Sequence, residues 1–262
     1  MNEAILNKLK NVLILLCSIV IFYALWWLFI WILNSINRGV RILPYPDDVL
    51  ISFWNLLFTP VNDATLLDHV GSSFFRVLIG FFYALVLAIP IGLLLGSSAW
   101  LNRIFKPVIE ILKPIPPLAW IPFALIAFGL GIMSYAFIIF MGAFFPLLQS
   151  IYDGVQQTPR VYKDVARSLG ASKSQILWEV VLPSILPNLF TGMRIAMGVG
   201  WMCVIAAEMI GVTDAGIGYF INYMTFIGQY SNMMAGMLMI GLFSLLINYG
   251  FKFFEKIVLK WI

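Results

Sequence analysis

Residues 158–183 read TPRVYKDVARSLGASKSQILWEVVLP, a polar stretch between segments that are apolar enough to lie in lipid. Thr158 is a suitable N-cap, and Pro159 is a suitable first helical residue. Gly170 suits the left-handed residue that follows a helix C-cap. The stretch therefore predicts a short helix that begins after Thr158 and ends before Gly170. It carries six charged side chains: Arg160, Lys163, Asp164, Arg167, Lys173 and Glu179.

A second short helix is predicted after the glycine. Ser172 and Gln175 have the spacing of a capping box, in which each side chain bonds the backbone amide of the other residue. Pro183 then breaks or kinks the chain. In the first helix, three apolar residues share one face at i, i+4, i+8 spacing: Val161, Val165 and Leu169. Such a helix–glycine–helix unit fits a groove on a soluble partner, and an ordinary loop between spans is the alternative.

The composition is that of an integral membrane protein. The 262 residues are 62% hydrophobic and 11% charged, whereas about 25% charged residues is usual in soluble domains. Cys17 and Cys203 lie in apolar runs, which favours two buried, inert thiols over a disulfide or a zinc site. His69 has too few partners to form a metal site and is expected at the surface or the membrane interface. The basic residues are spread over loops, so no nucleic-acid partner is predicted.

Hydrophobic runs predict about six transmembrane helices, because a helix needs about 20 apolar residues to cross a bilayer. The first run is too long for the apolar core of a signal peptide, so we expect an uncleaved span. No internal repeat relates two halves of the chain. We therefore expect a single transmembrane domain over residues 1–262, which needs a second copy to complete a transporter. The predicted spans are residues 11–33, 73–96, 114–130, 132–151, 184–210 and 232–251.

The positions of Lys and Arg predict the orientation of these spans. One set of loops holds twelve of the sixteen basic residues, whereas the opposite side holds Arg38, Arg41 and Arg76. By the positive-inside rule, both termini and residues 158–183 are expected in the cytoplasm. The twelve are Lys8, Lys10, Arg103, Lys106, Lys113, Arg160, Lys163, Arg167, Lys173, Lys252, Lys256 and Lys260.

Two loops are expected on the outer side. Residues 34–71 should contain a helix that is capped by Asp47 and lies flat at the outer interface. Its apolar stripe is predicted to consist of Leu50, Phe53, Trp54 and Leu57. Residues 211–231 are rich in glycine yet apolar, and irregular backbone of that kind is tolerated only where protein covers it or where it lines a cavity. We expect a partly re-entrant element there.

Charged residues inside a span are costly and are therefore functional candidates. Arg194, Trp201 and Glu208 recur every seven residues in the fifth span, so they share one helix face over about 21 Å. A cation, an indole and a carboxylate on one face suit the wall of a passage. Packing against another span, with both charges paired to neighbouring groups, is the alternative. Three further candidates share this stripe: Met197, Gly198 and Ile205.

The third predicted span begins with an irregular segment. Residues 113–122 read KPIPPLAWIP, and four prolines remove backbone donors and prevent a regular helix. A broken helix that faces a cavity is one solution, and it makes Trp120 and Pro122 candidates for a translocation path. A structural kink without ligand contact is the alternative.

No catalytic motif accompanies these features. The sequence lacks the Gly-x-x-x-x-Gly-Lys-Ser/Thr phosphate loop, the Gly-x-Ser-x-Gly elbow and the His-Glu-x-x-His zinc motif. We therefore expect no catalytic residue, and no metal or cofactor bound by this chain.

Residues 158–183 resemble the coupling loop of permeases from binding-protein-dependent ABC importers. The family pattern is Glu-Ala-Ala, three residues, Gly, nine residues, Ile, any residue, Leu-Pro. The corresponding residues here are Asp164, Val165, Ala166, Gly170, Val180, Leu182 and Pro183. Four of the seven match, and Val165 in place of alanine is the main departure. The segments PIPPLAWIP (114–122), GMRIAMGVGW (192–201), AAEMIG (206–211) and GIGY (216–219) are similar to the subgroup that carries nitrate, sulfonates, taurine and bicarbonate.

The resemblance implies a type I ABC importer permease in the cell membrane of a prokaryote, with a cytoplasmic coupling helix between spans 4 and 5. The implied partners are a second copy, two ABC ATPase subunits that bind ATP and Mg²⁺, and an extracytoplasmic substrate-binding protein. We expect the solute to be a small anion such as nitrate, bicarbonate, taurine or an alkanesulfonate, with Arg194 helping to neutralise it and Glu208 acting as a gate or structural acid. The implied coupling residues are Arg160, Asp164, Val165, Ala166, Arg167, Ser168, Leu169, Gly170, Ala171 and Ser172. A stand-alone channel or secondary transporter is the alternative, and a membrane enzyme is less favoured.

Overall fold

The computed structural model describes residues 2–36, 43–61, 64–210, 213 and 215–260. Over these ranges the backbone is almost entirely helical, and one isolated antiparallel bridge joins Val61 to Ala64. The α-helices in these ranges are α1 (Asn2–Ile36), α2 (Pro46–Phe58), α3 (Leu66–Ser97), α4 (Ala99–Leu112), α5 (Ile121–Phe128), α6 (Ile132–Gln157), α7 (Arg160–Ser168), α8 (Lys173–Gln175), α9 (Leu182–Ile210), α10 (Ile217–Phe226) and α11 (Tyr230–Val258). A 3₁₀ turn, Pro117–Trp120, precedes α5, and a π-helical turn, Ile176–Val181, precedes α9.

Length and apolarity give this fold five or six membrane spans. Within the described residues, five helical stretches are long and apolar enough to cross a bilayer: Leu16–Ile36, Leu66–Ser97, Ile132–Gln157, Lys173–Ile210 and Tyr230–Val258. Helix α4 and the segment Pro117–Phe128 meet the same standard together, across a bend of 87°. The prediction of an all-α membrane protein with about six transmembrane helices is confirmed.

The third span was predicted over residues 114–130 with an irregular, proline-rich start, whereas the structure also brings α4 into this span. Helix α5 has only eight residues, and the chain bends sharply between α4 and α5. Three prolines lie between these helices, and none of them can donate a backbone hydrogen bond. Helix α4 itself was not predicted, because its charged residues made the segment look like a loop.

The chain divides into two compact units, and the first contains Met1–Leu66 and Ile221–Met239. In this unit α1 packs against α2, and the Tyr23 hydroxyl donates a hydrogen bond to the Asp47 carboxylate. The N-cap of α2 is Tyr45, so the prediction of an Asp47 cap is wrong. The Asp48 carboxylate accepts a hydrogen bond of 3.3 Å from the Tyr45 amide and thereby closes the first turn.

The buried face of α2 is also rotated from the predicted stripe. Val49 and Leu56 are buried, whereas Leu50 and Trp54 are exposed. Of the predicted stripe, Phe53 and Leu57 are half-buried. The position of α2 at an outer interface stays a prediction. Two residues that were predicted on this side of the membrane lie outside the described residues: Arg38 and Arg41.

The second unit, Leu67–Phe220 with Ile240–Ile262, is built around α6. Helix α9 packs along α6 in the opposite direction, and α3 runs parallel to α6. Three glycines of α3 face β-branched residues of α6 at a constant offset of 59 residues: Gly80 with Ile139, Gly92 with Ile151, and Gly96 with Val155. Small residues allow close backbone approach, which is how membrane helices commonly associate. Cys203 is buried in this unit as predicted, whereas Cys17 is exposed on α1.

Candidate functional site

The polar segment forms the predicted helix–glycine–helix, but its first helix starts one residue later. Helix α7 begins at Arg160, with Pro159 as the N-cap residue. Thr158 is the C-cap of α6 instead, and its hydroxyl donates to the Gly154 carbonyl at 3.1 Å. The prediction of Thr158 as an N-cap is therefore wrong, because its hydroxyl bonds the helix before it.

Gly170 follows α7 in the predicted left-handed conformation, with φ +84°. Its amide donates to the Arg167 carbonyl at 2.9 Å, and the Ala171 amide donates to the Ala166 carbonyl at 3.0 Å. These two bonds form a Schellman motif. A Cβ at Gly170 would meet no atom within 4 Å, so the backbone angle and not the available space requires glycine.

The capping box predicted for the second helix is present. The Ser172 amide donates to Gln175 Oε1 at 2.8 Å, and the Gln175 amide donates to Ser172 Oγ at 3.3 Å. In the π-helical turn that follows, the Leu182 amide donates to the Leu177 carbonyl, five residues back. Pro183 has no amide hydrogen, and this wider turn carries the chain past it into α9.

Helix α7 presents an exposed apolar stripe on an otherwise charged surface. Of the predicted coupling residues, Ala166 and Ala171 are half-buried and the other eight are exposed. Val161, Val165 and Leu169 are 66%, 53% and 82% exposed, and they share one face of the helix. Within the described part of the chain, nothing covers this stripe. An exposed apolar stripe with a polar rim is typical of a protein interface.

Lys163 fixes α7 against the end of α6. Its Nζ donates to the Val155 carbonyl at 3.3 Å, in the last turn of α6. Burial lowers the pKa of Lys163, and the neighbouring Arg167 and Arg160 guanidinium groups lower it further.

Glu208, near the end of α9, is buried in a polar cluster, with 1% of its surface exposed. Arg76 Nη1 donates to its carboxylate at 2.5 Å, and the Ser73 hydroxyl donates at 2.8 Å. The Gly218 amide adds a third bond of 3.0 Å. Three donors, one of them charged, offset the desolvation of a buried carboxylate.

The same cluster holds the first turn of α10. The Gly216 amide donates to His69 Nδ1 at 3.2 Å, and the Ile217 amide donates to Ser73 Oγ at 2.9 Å. Side chains of α3 and α9 thus satisfy amides that the start of a helix leaves unpaired. His69 is 2% exposed, so its predicted place at the surface or interface is wrong.

Other members of the predicted stripe on α9 contact residues of the same chain. Met197 and Trp201 are buried, and the Trp201 ring lies 5.0 Å from that of Phe243 in α11. Arg194 Nη1 lies 3.6 Å from Glu255 Oε2, and both side chains are partly exposed. The alternative that both charges pair with neighbouring groups describes Arg194 and Glu208 in this structure.

The remaining path candidates are more accessible. A Cβ at Gly198 would meet no atom within 4 Å, and Ile205 is half-buried. Pro122 is exposed, while the Trp120 ring packs 5.9 Å from Phe123. The structure therefore does not bring all eight candidates to one open surface.

Arg76 and Ser73 are the site residues that the sequence analysis missed. A buried carboxylate requires a compensating cation, so the placement of Glu208 inside a span already indicated that a cationic partner should be sought. Arg76 was assigned only to the end of a span, because no local pattern links two residues 132 positions apart. Among the described residues, no group of three or more His, Cys, Asp or Glu side chains is arranged to hold a metal ion.

Residues 88–262 match the family described as binding-protein-dependent transport system inner membrane component. A putative ABC transporter permease protein of Methanocaldococcus jannaschii is 40% identical over 238 residues, which is 88% of this chain and 87% of the relative. A taurine transport system permease protein of Escherichia coli is 34% identical, over 84% of this chain and 80% of its own length.

A nitrate import permease protein of Synechocystis sp. is 34% identical over 88% of this chain and 85% of its own length. A bicarbonate transport system permease protein of Synechococcus elongatus is 35% identical over 97% of this chain and 92% of its own length. One solved chain of the MetNI methionine ABC transporter, in inward-facing conformations, has a TM-score of 0.66 and 22% identity. It covers 74% of this chain and 95% of that chain, and it supports the fold.

Proposed function

Because the chain belongs to the inner membrane components of binding-protein-dependent transport systems, the permeases of ABC importers, we propose that it forms the translocation pathway for a small anion and is driven through α7. Permeases of this family are transport subunits, and a separate subunit hydrolyses ATP. The observation that carries the proposal is the uncovered apolar stripe of α7, formed by Val161, Val165 and Leu169. It gives the chain a surface through which an ATPase subunit can act.

In this proposal α7 and both termini lie in the cytoplasm of a prokaryotic cell, and the spans cross its cell membrane. The distribution of Lys and Arg between loops supports this orientation. Two ATPase subunits, which carry ATP and Mg²⁺, each receive one α7 in a groove. The exposed Asp164–Arg167 pair, with an N–O distance of 3.0 Å, lies at the polar rim of that contact.

A second copy of the chain completes the pathway. Ile195, Gly198 and Met202 lie on one face of α9, and Ile195 and Met202 are 49% and 67% exposed. We place this face, together with Trp120 and Pro122, on the path between the two copies. Met197, Trp201, Ile205 and Glu208 would then support the wall from behind.

The proposed solute is a small anion such as nitrate, bicarbonate, taurine or an alkanesulfonate. The relatives whose names state taurine, nitrate and bicarbonate each match over more than four fifths of this chain and support this class. Arg194 is the partly exposed cation of α9, and we assign it the role of neutralising the solute. A substrate-binding protein on the outer side delivers the solute to the paired chains.

The mechanism that fits these parts is a rocking of the spans. Closure of the two ATPase subunits on ATP draws the paired α7 helices together. Lys163 bonds α7 to the end of α6, so movement of α7 is passed to α6 and to α9, which packs along it. The pathway then opens outward, and hydrolysis restores the inward-facing state.

Site-directed cross-linking tests the role of α7. Leu169→Cys is introduced in a Cys17→Ser background, because Cys17 is an exposed thiol and Cys203 is buried. In the importer assembled with its ATPase subunits, this cysteine should cross-link to an ATPase subunit. Trp100→Cys on α4 is the matched control, since Trp100 is 69% exposed and should give no such product. Equal cross-linking at the two positions would contradict the proposal.

Uptake into vesicles tests the solute and the need for ATP. Arg194→Gln should lower uptake of labelled taurine, nitrate or bicarbonate, because it removes the cation. Glu255→Gln removes the partner 3.6 Å away but leaves the cation, so uptake should persist. Solute flux through the chain alone, without ATPase subunits, would instead support a channel or secondary transporter.

A further inference from the structure

A polar cavity of about 270 Å³ lies between α4 and α6. Two cations and two carboxylates line it: Lys106, Lys113, Glu110 and Asp153. Lys113 Nζ donates to Gln149 Oε1 at 3.3 Å, and Gln149 Nε2 donates to the Asp153 carboxylate at 2.9 Å. A cavity of this size has room for several waters or a small polar group.

An apolar groove of about 390 Å³ continues from this cavity. Cavity and groove share three lining residues: Leu95, Ile109 and Leu148. The other groove residues are all apolar: Ile91, Leu94, Leu101, Phe105 and Phe144. Because these three side chains line both, cavity and groove adjoin, and we treat them as one cleft with a charged end and a hydrocarbon end.

The charged end and the apolar end of the cleft lie at different depths along the spans α3 and α6. On α6 the groove reaches Phe144, whereas the cavity reaches Tyr152 and Asp153, about two turns nearer the helix end. On α3 the groove reaches Ile91, one turn deeper in the span than Leu95. The charged end therefore lies at the membrane boundary, and the apolar end runs towards the middle of the bilayer.

Helix α4 is built to lie at that boundary. Asn102 and Lys106, with Lys113 at the C-cap, fall on its polar face, which turns towards α6. The Asn102 side-chain amide donates to the Tyr152 hydroxyl at 3.0 Å. Trp100, Ile104 and Ile111 fall on the opposite face and are exposed. An amphipathic helix with basic residues on one face and apolar residues on the other is typical of the lipid interface.

We propose that this cleft binds one phospholipid with a primary-amine headgroup, of the phosphatidylethanolamine class. The phosphate lies between Lys106 and Lys113, the ammonium group bonds Glu110 and Asp153, and one acyl chain fills the apolar groove. Basic pockets between helices on the cytoplasmic side bind the anionic groups of lipid headgroups, which assigns the phosphate to Lys106 and Lys113. The two carboxylates select a zwitterionic headgroup over a purely anionic one, because an anionic lipid would leave them facing negative charge.

The site does not depend on the identity of the transported solute. It requires only that α3 and α6 span the bilayer with the charged end at one boundary. Lipid held there would bridge α3, α4 and α6. It would thereby fix the bent third span against α3 and α6.

Native mass spectrometry of the full-length chain tests the proposal, with short-chain phosphatidylethanolamine, phosphatidylglycerol and phosphatidylcholine as separate probes. The wild-type chain should retain one phosphatidylethanolamine in preference to the other two. Lys106→Met and Lys113→Met should each weaken retention about fivefold, at roughly the energy of one basic residue near a lipid surface. Lys256→Met, a substitution of an exposed lysine on α11, is the matched control and should leave retention unchanged.

Two further variants separate the headgroup classes. Glu110→Gln with Asp153→Asn should reduce retention of phosphatidylethanolamine and raise that of phosphatidylglycerol, since it removes both carboxylates. Phe105→Asp should abolish retention of every probe by placing a charge in the groove, while helix content by circular dichroism shows that the chain is folded. Equal retention of the three lipids by the wild-type chain, or unchanged retention in the lysine variants, would overturn the proposal.

Discussion

Arg76 in α3 and Glu208 in α9 form a buried ion pair, with Nη1 and Oε1 2.5 Å apart and no exposed surface on the glutamate side chain. Arg76 also donates to the Ala215 carbonyl at 2.7 Å and to the Thr213 hydroxyl at 2.8 Å. The pair thus joins two spans to the segment that precedes α10. A single buried pair therefore fixes the end of the helical core from which α10 departs.

Glu208→Ala should destabilise the protein by about 3–5 kcal/mol, because it leaves the Arg76 guanidinium buried without its partner. Thermal or denaturant unfolding in detergent micelles measures the effect. Replacing both residues with leucine should recover most of the loss, since no uncompensated charge remains.

Glu110→Ala is the control for that experiment. Its carboxylate is 3.8 Å from Lys106 Nζ, and both side chains are more than half exposed. An exposed pair of this kind contributes about 0–1 kcal/mol, so the variant should unfold close to the wild type. If Glu208→Ala unfolds at the same temperature or denaturant concentration as Glu110→Ala, the ion pair does not stabilise the fold.

Gly170→Val should uncouple ATP hydrolysis from transport. A β-branched residue at φ +84° is strained by roughly 1–3 kcal/mol, so the Schellman motif opens and α7 loses its fixed end. The ratio of solute transported to ATP hydrolysed, in vesicles with the complete importer, should fall severalfold. Gly170→Asn should retain most of the coupling, because asparagine tolerates the left-handed conformation.

Gly241→Ala in α11 provides the neutral comparison. A Cβ there would meet no atom within 4 Å, and its backbone is helical. Full coupling in Gly170→Val would show that the geometry at this position does not matter for transport.

Local chemistry predicted most of the α7 segment, whereas tertiary contacts were beyond the sequence. Gly170 and the Ser172 capping box depend on residues within four positions of each other, so their patterns are readable. The start of α7 was misplaced by one residue because Thr158 could bond either helix, and only the folded chain shows that it bonds Gly154. The Arg76–Glu208 pair joins residues 132 positions apart, so no local pattern could show that Glu208 is buried rather than on an open face of α9.

Lys163 should titrate below the ordinary lysine value of 10.5, and Arg167→Gln should raise its pKa towards that value. Burial is the largest cause of the lowered pKa, and the positive charges of Arg167 and Arg160 add to it. Removing one of those charges makes the ammonium form less costly. Competitive acylation of the lysine amines as a function of pH, read by mass spectrometry, measures the midpoint.

The sign of the accompanying stability effect follows from linkage. Because the folded-state pKa of Lys163 lies below the unfolded value, the ammonium costs stability at neutral pH, and this cost disappears as pH rises through the interval between the two. Lys163→Met should therefore flatten the rise in stability on the alkaline side. A Lys163 titration midpoint in Arg167→Gln that is equal to or below that of the wild type would show that the Arg167 charge does not lower the pKa of Lys163.

Gly142→Ala should destabilise the packing of α6 against α9. A Cβ at Gly142 would lie 2.6 Å from Cys203 Sγ and 3.3 Å from Val199 Cγ1, so the two helices would have to separate. Overpacking of this kind costs about 1–3 kcal/mol, which exceeds the gain of about 0.5–1 kcal/mol from replacing a helical glycine. Cys203→Ala removes the closest atom, so the double variant should recover much of the loss. A double-mutant cycle on the unfolding midpoint in detergent measures the coupling.

Gly241→Ala adds a Cβ to an open helix surface and should be neutral or stabilising. Additive effects of Gly142→Ala and Cys203→Ala would show that α6 and α9 do not meet at this point.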